Sequence, residues 1–245
     1  MNVQRNWDAR AAANFMGGGC GAGLLIFTAL VERPAPWAIA LSLALVAAGL
    51  GAVWLEIGKP LRALNVYFNP FTSWMSRESF AAVVLFVAGG AALVYPDLIF
   101  VAALAALAFL WCQARLLQAA KGIPAWRARE TVALIVTTGL AEGAGLGLLF
   151  DAGPLATTAF ALALAARAIA WLRYRRAVKS AALEPAGKAL LGVGTVAALV
   201  LLLASAPLAG LAAFGSGWYL KFALVTRASL KQGFALPRLP VRGTR

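Results

Sequence analysis

Apolar residues run along this chain in long unbroken blocks, and the blocks recur at nearly even spacing. A helix that crosses a bilayer needs about 20 mostly apolar residues. Eight stretches fit: 12–31, 37–57, 79–94, 98–117, 131–150, 155–172, 189–206 and 208–226. The third is short. The last two are divided only around Pro207, which predicts a bent hairpin or one helix fewer. Barrel strands alternate apolar and polar residues, and continuous blocks do not. The expectation is an all-α fold: a polytopic membrane helix bundle of about eight transmembrane helices. It forms one integral membrane domain over 1–245, with a basic tail over 227–245. The first block is expected to be a retained span, because Gly17, Gly18 and Gly19 interrupt it and no small-x-small cleavage site follows.

Charge sharpens the topology. The chain has 22 Lys and Arg against 9 Asp and Glu, a formal net charge of +13. Nineteen of the basic residues fall on one side of the eight-span layout, in the N-terminus, the even-to-odd connections with Arg115 at the end of the fourth span, and the tail. Arg33 alone falls on the other side, and Arg167 and Lys221 lie within spans. The positive-inside rule then places both termini and the basic loops in the cytoplasm. The implied location is a bacterial or archaeal cytoplasmic membrane. So dense a basic face would also attract anionic lipid headgroups of the bilayer, or an acidic partner protein. Nucleic acid is not expected as a partner, since the charges are juxtamembrane and no binding module carries them.

Composition excludes several chemistries. With 62% hydrophobic and 13% charged residues the chain does not read as a soluble enzyme, a disordered segment or a disulfide scaffold. It has no His, which removes bis-His haem ligation, His-bound zinc and a Ser-His-Asp triad. Its two cysteines, Cys20 and Cys112, sit alone in apolar runs and cannot hold an iron–sulfur cluster. No metal site, haem, iron–sulfur cluster or molybdenum is expected in this chain. Gly17 and Gly21, Gly19 and Gly23, and Gly139, Gly143 and Gly147 follow the G-x-x-x-G spacing that lets helices pack closely in lipid.

Candidate chemistry gathers in two places. The stretch 56–78 mixes charges, amides, hydroxyls and aromatics at a membrane boundary, with Pro60 and Pro70 breaking helix. A Ser cap near its end predicts a helix start within 72–78. Within the spans, Glu142, Arg167 and Lys221 are costly to bury, so each is a functional candidate by default. Glu142 and Arg167 could pair across adjacent helices or form a proton path. Arg167 and Lys221 could instead snorkel toward the interface. Asn14, one turn before the first glycine cluster, could hydrogen-bond a carbonyl ligand.

The pair of motifs Gly58-Lys59-Pro60 and Thr72-Ser73-Trp74-Met75-Ser76-Arg77-Glu78 resembles the signature of a known family. These are the polytopic membrane anchor subunits of molybdopterin oxidoreductases, of the DMSO reductase anchor, polysulfide reductase and NrfD type. The eight-span layout and the glycine-rich first helix are similar too. Within the family, the small size and the tail from Gly217-Trp218-Tyr219 through Gln232-Gly233-Phe234 resemble the membrane subunits of phenylacetyl-CoA:acceptor oxidoreductases.

The resemblance implies a quinone-binding, electron-transferring subunit, with menaquinone or ubiquinone as cofactor. Its implied partners are a ferredoxin-like iron–sulfur subunit and a molybdopterin catalytic subunit, which performs the substrate chemistry. Glu78 matches the family's motif glutamate and is the implied proton carrier. Relatives carry a His where this chain has Glu56, so either Glu56 takes over as a second catalytic carboxylate or the site is built differently. Asn14, Gly18, Lys59, Tyr67, Trp74, Ser76 and Arg77 complete the expected quinone-binding set, and Glu142 with Arg167 the expected buried charge or proton path. The alternative readings are a small permease lined by Glu142, Arg167 and Lys221, or a structural anchor without quinone chemistry.

Overall fold

A computed structural model describes residues 7–31, 34–55 and 60–230. Among these the chain is all-helical. Seven helices are long and apolar enough to span a membrane: α1 Ala9–Thr28, α2 Pro36–Trp54, α3 Trp74–Ala92, α4 Pro96–Ala119, α6 Pro154–Ala177, α7 Ala181–Leu202 and α8 Ala206–Leu230. The eighth expected span is helical as α5, Glu130–Gly147, but Glu130, Glu142 and its glycines dilute its apolar character. The chain is a multi-pass integral membrane protein.

Burial orders the helices. The first helix is 83% buried within the bundle, and α5 is buried over most of its length, whereas α2 is only 28% buried. The least apolar helix is thus kept from lipid and the most apolar one faces it. Glycine makes the centre possible. A Cβ on Gly23 would overlap the Gly139 carbonyl, and one on Gly143 would overlap the backbone of Gly23 and Leu24. The α1 and α5 backbones therefore touch, the close approach that small residues allow in lipid. Gly143→Val should cost about 2 kcal/mol by overpacking, read as a lower unfolding temperature in detergent. Gly90→Ala is the control, because a Cβ there meets nothing within 4 Å.

Helix ends differ from the hydropathy boundaries for a physical reason. The third helix starts at Trp74 rather than 79, with the Ser73 hydroxyl accepting the Ser76 amide at 3.3 Å. The sixth runs on to Ala177 rather than 172, through Arg173, Arg175 and Arg176, and α7 begins at Ala181 rather than 189. Apolarity ends at the headgroups, but nothing in these sequences stops the helix there. Between α2 and α3, Pro60–Phe68 forms a 3₁₀ helix. At the chain's start, Asp8 caps α1 by accepting the amides of Arg10 and Ala11. The Arg10 guanidinium beside it holds the Asp8 carboxyl below the usual carboxylate range.

Three widened π-helical turns interrupt these helices, at Asn14–Gly18, Gly192–Ala197 and Ala223–Arg227. Each supplies a carbonyl to a buried donor from another helix or loop. Gln113 donates to Asn14 O at 2.9 Å, Arg167 to Gly194 O at 2.5 Å and Trp126 Nε1 to Leu224 O at 2.9 Å. A π turn shifts the register of the helical bonds and loosens a carbonyl for such use, and such turns gather at functional sites.

Candidate functional site

A cavity of about 900 Å³ opens between α1, α2, α3 and the 3₁₀ helix. Asn14, Tyr67, Ser76 and Glu78 all line it. The early start of α3 places Ser76 and Glu78 within the helix, and Glu78 reaches Asn14 on α1. Apolar side chains, among them Phe15, Leu50, Phe86 and Leu116, form the walls. Arg62 lies at the lining from the 3₁₀ helix.

Glu78 is buried at the head of a small polar cluster. Its Oε1 accepts from Asn14 Nδ2 at 3.4 Å and from Gln113 Nε2 at 3.5 Å. Both bonds are long for N–H···O contacts, so packing more than bonding holds the carboxyl. Asn14 Oδ1 and Gln113 Oε1 are buried without a hydrogen-bond partner. Unsatisfied buried acceptors are uncommon, and they mark a place where a donor fits.

Other expected site residues lie elsewhere. Gly18 is not at the cavity. A Cβ on it would come 2.8 Å from Gln113 Nε2, so its smallness makes room for that amide. Trp74 stands on the basic side, with the Arg77 and Arg115 guanidinium carbons 4.3 and 4.8 Å from its ring centroid. Arg77 donates to Pro70 O and Phe71 O at 2.8 and 2.6 Å, which ties down the turn entering α3. Glu56 and Lys59 lie outside the described residues.

The buried charges pair differently from expectation. Glu142 Oε2 accepts from Lys221 Nζ at 2.6 Å, and both side chains are fully buried. Arg167 is not its ion-pair partner. Its terminal nitrogens go to Ala213 O at 2.8 Å and to Gly194 O. Nor do Arg167 and Lys221 snorkel, since both are fully enclosed. Lys221 reaches from α8 to the glycine-rich middle of α1, beside Glu142 of α5. The carbonyl loosened by the Gly192–Ala197 π turn holds Arg167 instead. Glycines supply the space: a Cβ on Gly217 would lie 2.5 Å from Glu142 Oε1, and one on Gly19 2.5 Å from Lys221 Nζ.

Gln113 is the residue that the sequence-derived set lacks. It is a lone amide within an apolar run and carries the same signal as a buried charge. A Cβ on Gly19 would also come 3.1 Å from Gln113 Oε1. The Glu78 cluster and the Lys221–Glu142 pair therefore converge on either side of Gly19 as one polar seam through the bundle. Among the described residues no group of three or more His, Cys, Asp or Glu could hold a metal ion.

No family model matches the chain, and no curated protein matches it.

Proposed function

We propose that this chain is the quinone-binding membrane-anchor subunit of a molybdopterin/iron–sulfur oxidoreductase in a bacterial or archaeal cytoplasmic membrane. The observation that carries this reading is the cavity whose lining joins Glu78 to Asn14, Tyr67 and Ser76. Its volume of about 900 Å³ falls within the roughly 300–1,000 Å³ of small-molecule sites. Apolar walls suit a ring with an isoprenoid tail. The unpartnered Asn14 Oδ1 suits a hydroquinone hydroxyl, and Asn14 Nδ2 a quinone carbonyl.

A bound quinone supplies two-electron, two-proton chemistry. The residues of this chain hold it and handle the protons. Glu78 holds a proton at its carboxyl, next to the ligand oxygens. Asn14 and Gln113 donate to that carboxyl, the packing around it sets the direction in which it points, and the apolar walls limit water. Electrons come from an iron–sulfur partner docked on the basic face, which in this reading is cytoplasmic. Glu142 and Lys221 continue the polar seam away from the cavity.

Mass spectrometry of what co-purifies with this chain from native membranes in mild detergent tests the assembly. The expected result is a large molybdopterin protein together with a cysteine-rich ferredoxin-like protein. Recovery of the chain alone, under conditions that preserve such complexes, overturns the reading.

A further inference from the structure

A second cavity, of about 990 Å³, lies at the basic end of the bundle and apart from the Glu78 cavity. It is bounded by the ends of α4 and α6, the 120–129 connection and the start of α3. Five basic residues line it: Arg115, Lys121, Arg127, Arg129 and Lys179. Among the described residues no carboxylate lines it, and neither of the two ion pairs involves these five. The carbonyl ends of α4 and α6 approach it, but each contributes only about half a negative charge. The excess is strongly positive and calls for an anion.

The walls say which anion. Trp74, Pro124 and Val178 make part of the lining apolar. Below the cleft, one face of α4 is an exposed apolar stripe: Leu104 is 69% exposed, Leu107 44% and Trp111 49%. At spacings of three and four residues this stripe continues directly into Arg115 and Gln118, which line the cleft. A free anion or an acidic protein segment has no use for such a stripe within the span. A lipid has a phosphate for the cleft and an acyl chain for the stripe. Basic pockets between spans on the cytoplasmic side bind such headgroups.

We propose that this cleft is a specific site for the phosphate of an anionic phospholipid. The phosphate sits among Arg115, Lys121, Arg127, Arg129 and Lys179, and an acyl chain lies along Leu104, Leu107 and Trp111.

The test uses the full chain, delipidated in detergent and titrated with phosphatidylglycerol, cardiolipin or phosphatidylcholine under native mass spectrometry. The variant Lys121→Gln/Arg127→Gln/Arg129→Gln removes three charges from the cleft, all on exposed side chains. The control Arg173→Gln/Arg175→Gln/Arg176→Gln removes three exposed charges at the same end of the bundle but outside the lining. The expected result is roughly a 100-fold loss of anionic-lipid affinity in the first, at about fivefold per charge, with the control close to wild type. Equal losses in both variants overturn the site, because the attraction is then diffuse. Phosphatidylcholine binding as tightly as phosphatidylglycerol overturns the requirement for an anion. Displacement of the lipid by millimolar inorganic phosphate shows a soluble-ion site and overturns the lipid assignment. So does cleft-dependent capture of an acidic protein with no lipid bound.

Discussion

Replacing Lys221 with Met should lower the unfolding temperature of the detergent-solubilised protein by about 10 °C. The figure follows from the roughly 3–5 kcal/mol that breaking a buried ion pair costs and the 2–4 °C per kcal/mol typical of chains this size. Most of the loss comes from the partner left behind. Glu142 is fully buried, and its Oε1 already lacks a hydrogen bond. Without Lys221 its Oε2 lacks one as well. Glu142→Gln should cost a similar amount by stranding the ammonium among Gly19, Gln113 and the α8 backbone. The double variant Lys221→Met/Glu142→Gln should recover most of the stability, because neither charge then needs a partner. Circular dichroism melts of the three variants decide it. Single variants within 2 °C of wild type would mean that the pair is solvated and not enclosed. A double variant no better than the singles would mean that the pair itself clamps α5 to α8.

Much of this architecture is readable from the chain, and the unreadable parts share a cause. Continuous apolar blocks announce the helices, and glycine spacing announces that some helices pack closely, because both depend on local sequence; that α1 and α5 are the pair comes from the structure. Boundaries misread by hydropathy, such as 172 against Ala177 in α6, fall where a helix outlasts its apolar stretch. Partner choice is a different matter. Nothing near Glu142 in sequence distinguishes Arg167 from Lys221, which lies 79 residues away. The choice is made by π turns and glycine gaps that place one ammonium against the carboxylate and give the guanidinium a loosened carbonyl. Those turns leave no clear mark in composition, since Asn14–Gly18 and Ala223–Arg227 share no residue pattern. At the candidate site, the motif 72–78 points to Ser76 and Glu78, which the structure sets on the cavity, and to Trp74 and Arg77, which it sets on the basic side. Successive positions on one helix face different ways, and a linear motif does not say which of them face the ligand. Gln113 shows the converse. It enters the cluster from a helix whose sequence carries no motif.

Glu78→Gln should slow quinol-coupled turnover of the intact complex by at least 100-fold while leaving subunit assembly and quinone binding close to wild type. Losing a positioned proton carrier typically costs about 10²–10⁴ in rate. Gln keeps the volume of Glu and can keep the contacts to Asn14 and Gln113, so the cavity should retain its shape. It cannot give up and take back a proton in turn. The loss should therefore appear in kcat with KM little changed, the signature of an interaction used in the chemical step rather than in binding. Gln113→Leu separates carrying a proton from positioning the carrier. Glu78 would keep its carboxyl but lose one of its two donors, so turnover should fall by less, and Gln113→Glu should not restore it. Three outcomes bear on the assignment. A Glu78→Gln complex that turns over normally removes Glu78 from proton transfer. A complex that fails to assemble makes the residue structural, and the Gln113 series then tests the site by itself. A rise in KM with kcat unchanged makes Glu78 a binding group, which would place the proton carrier at another group on the cavity.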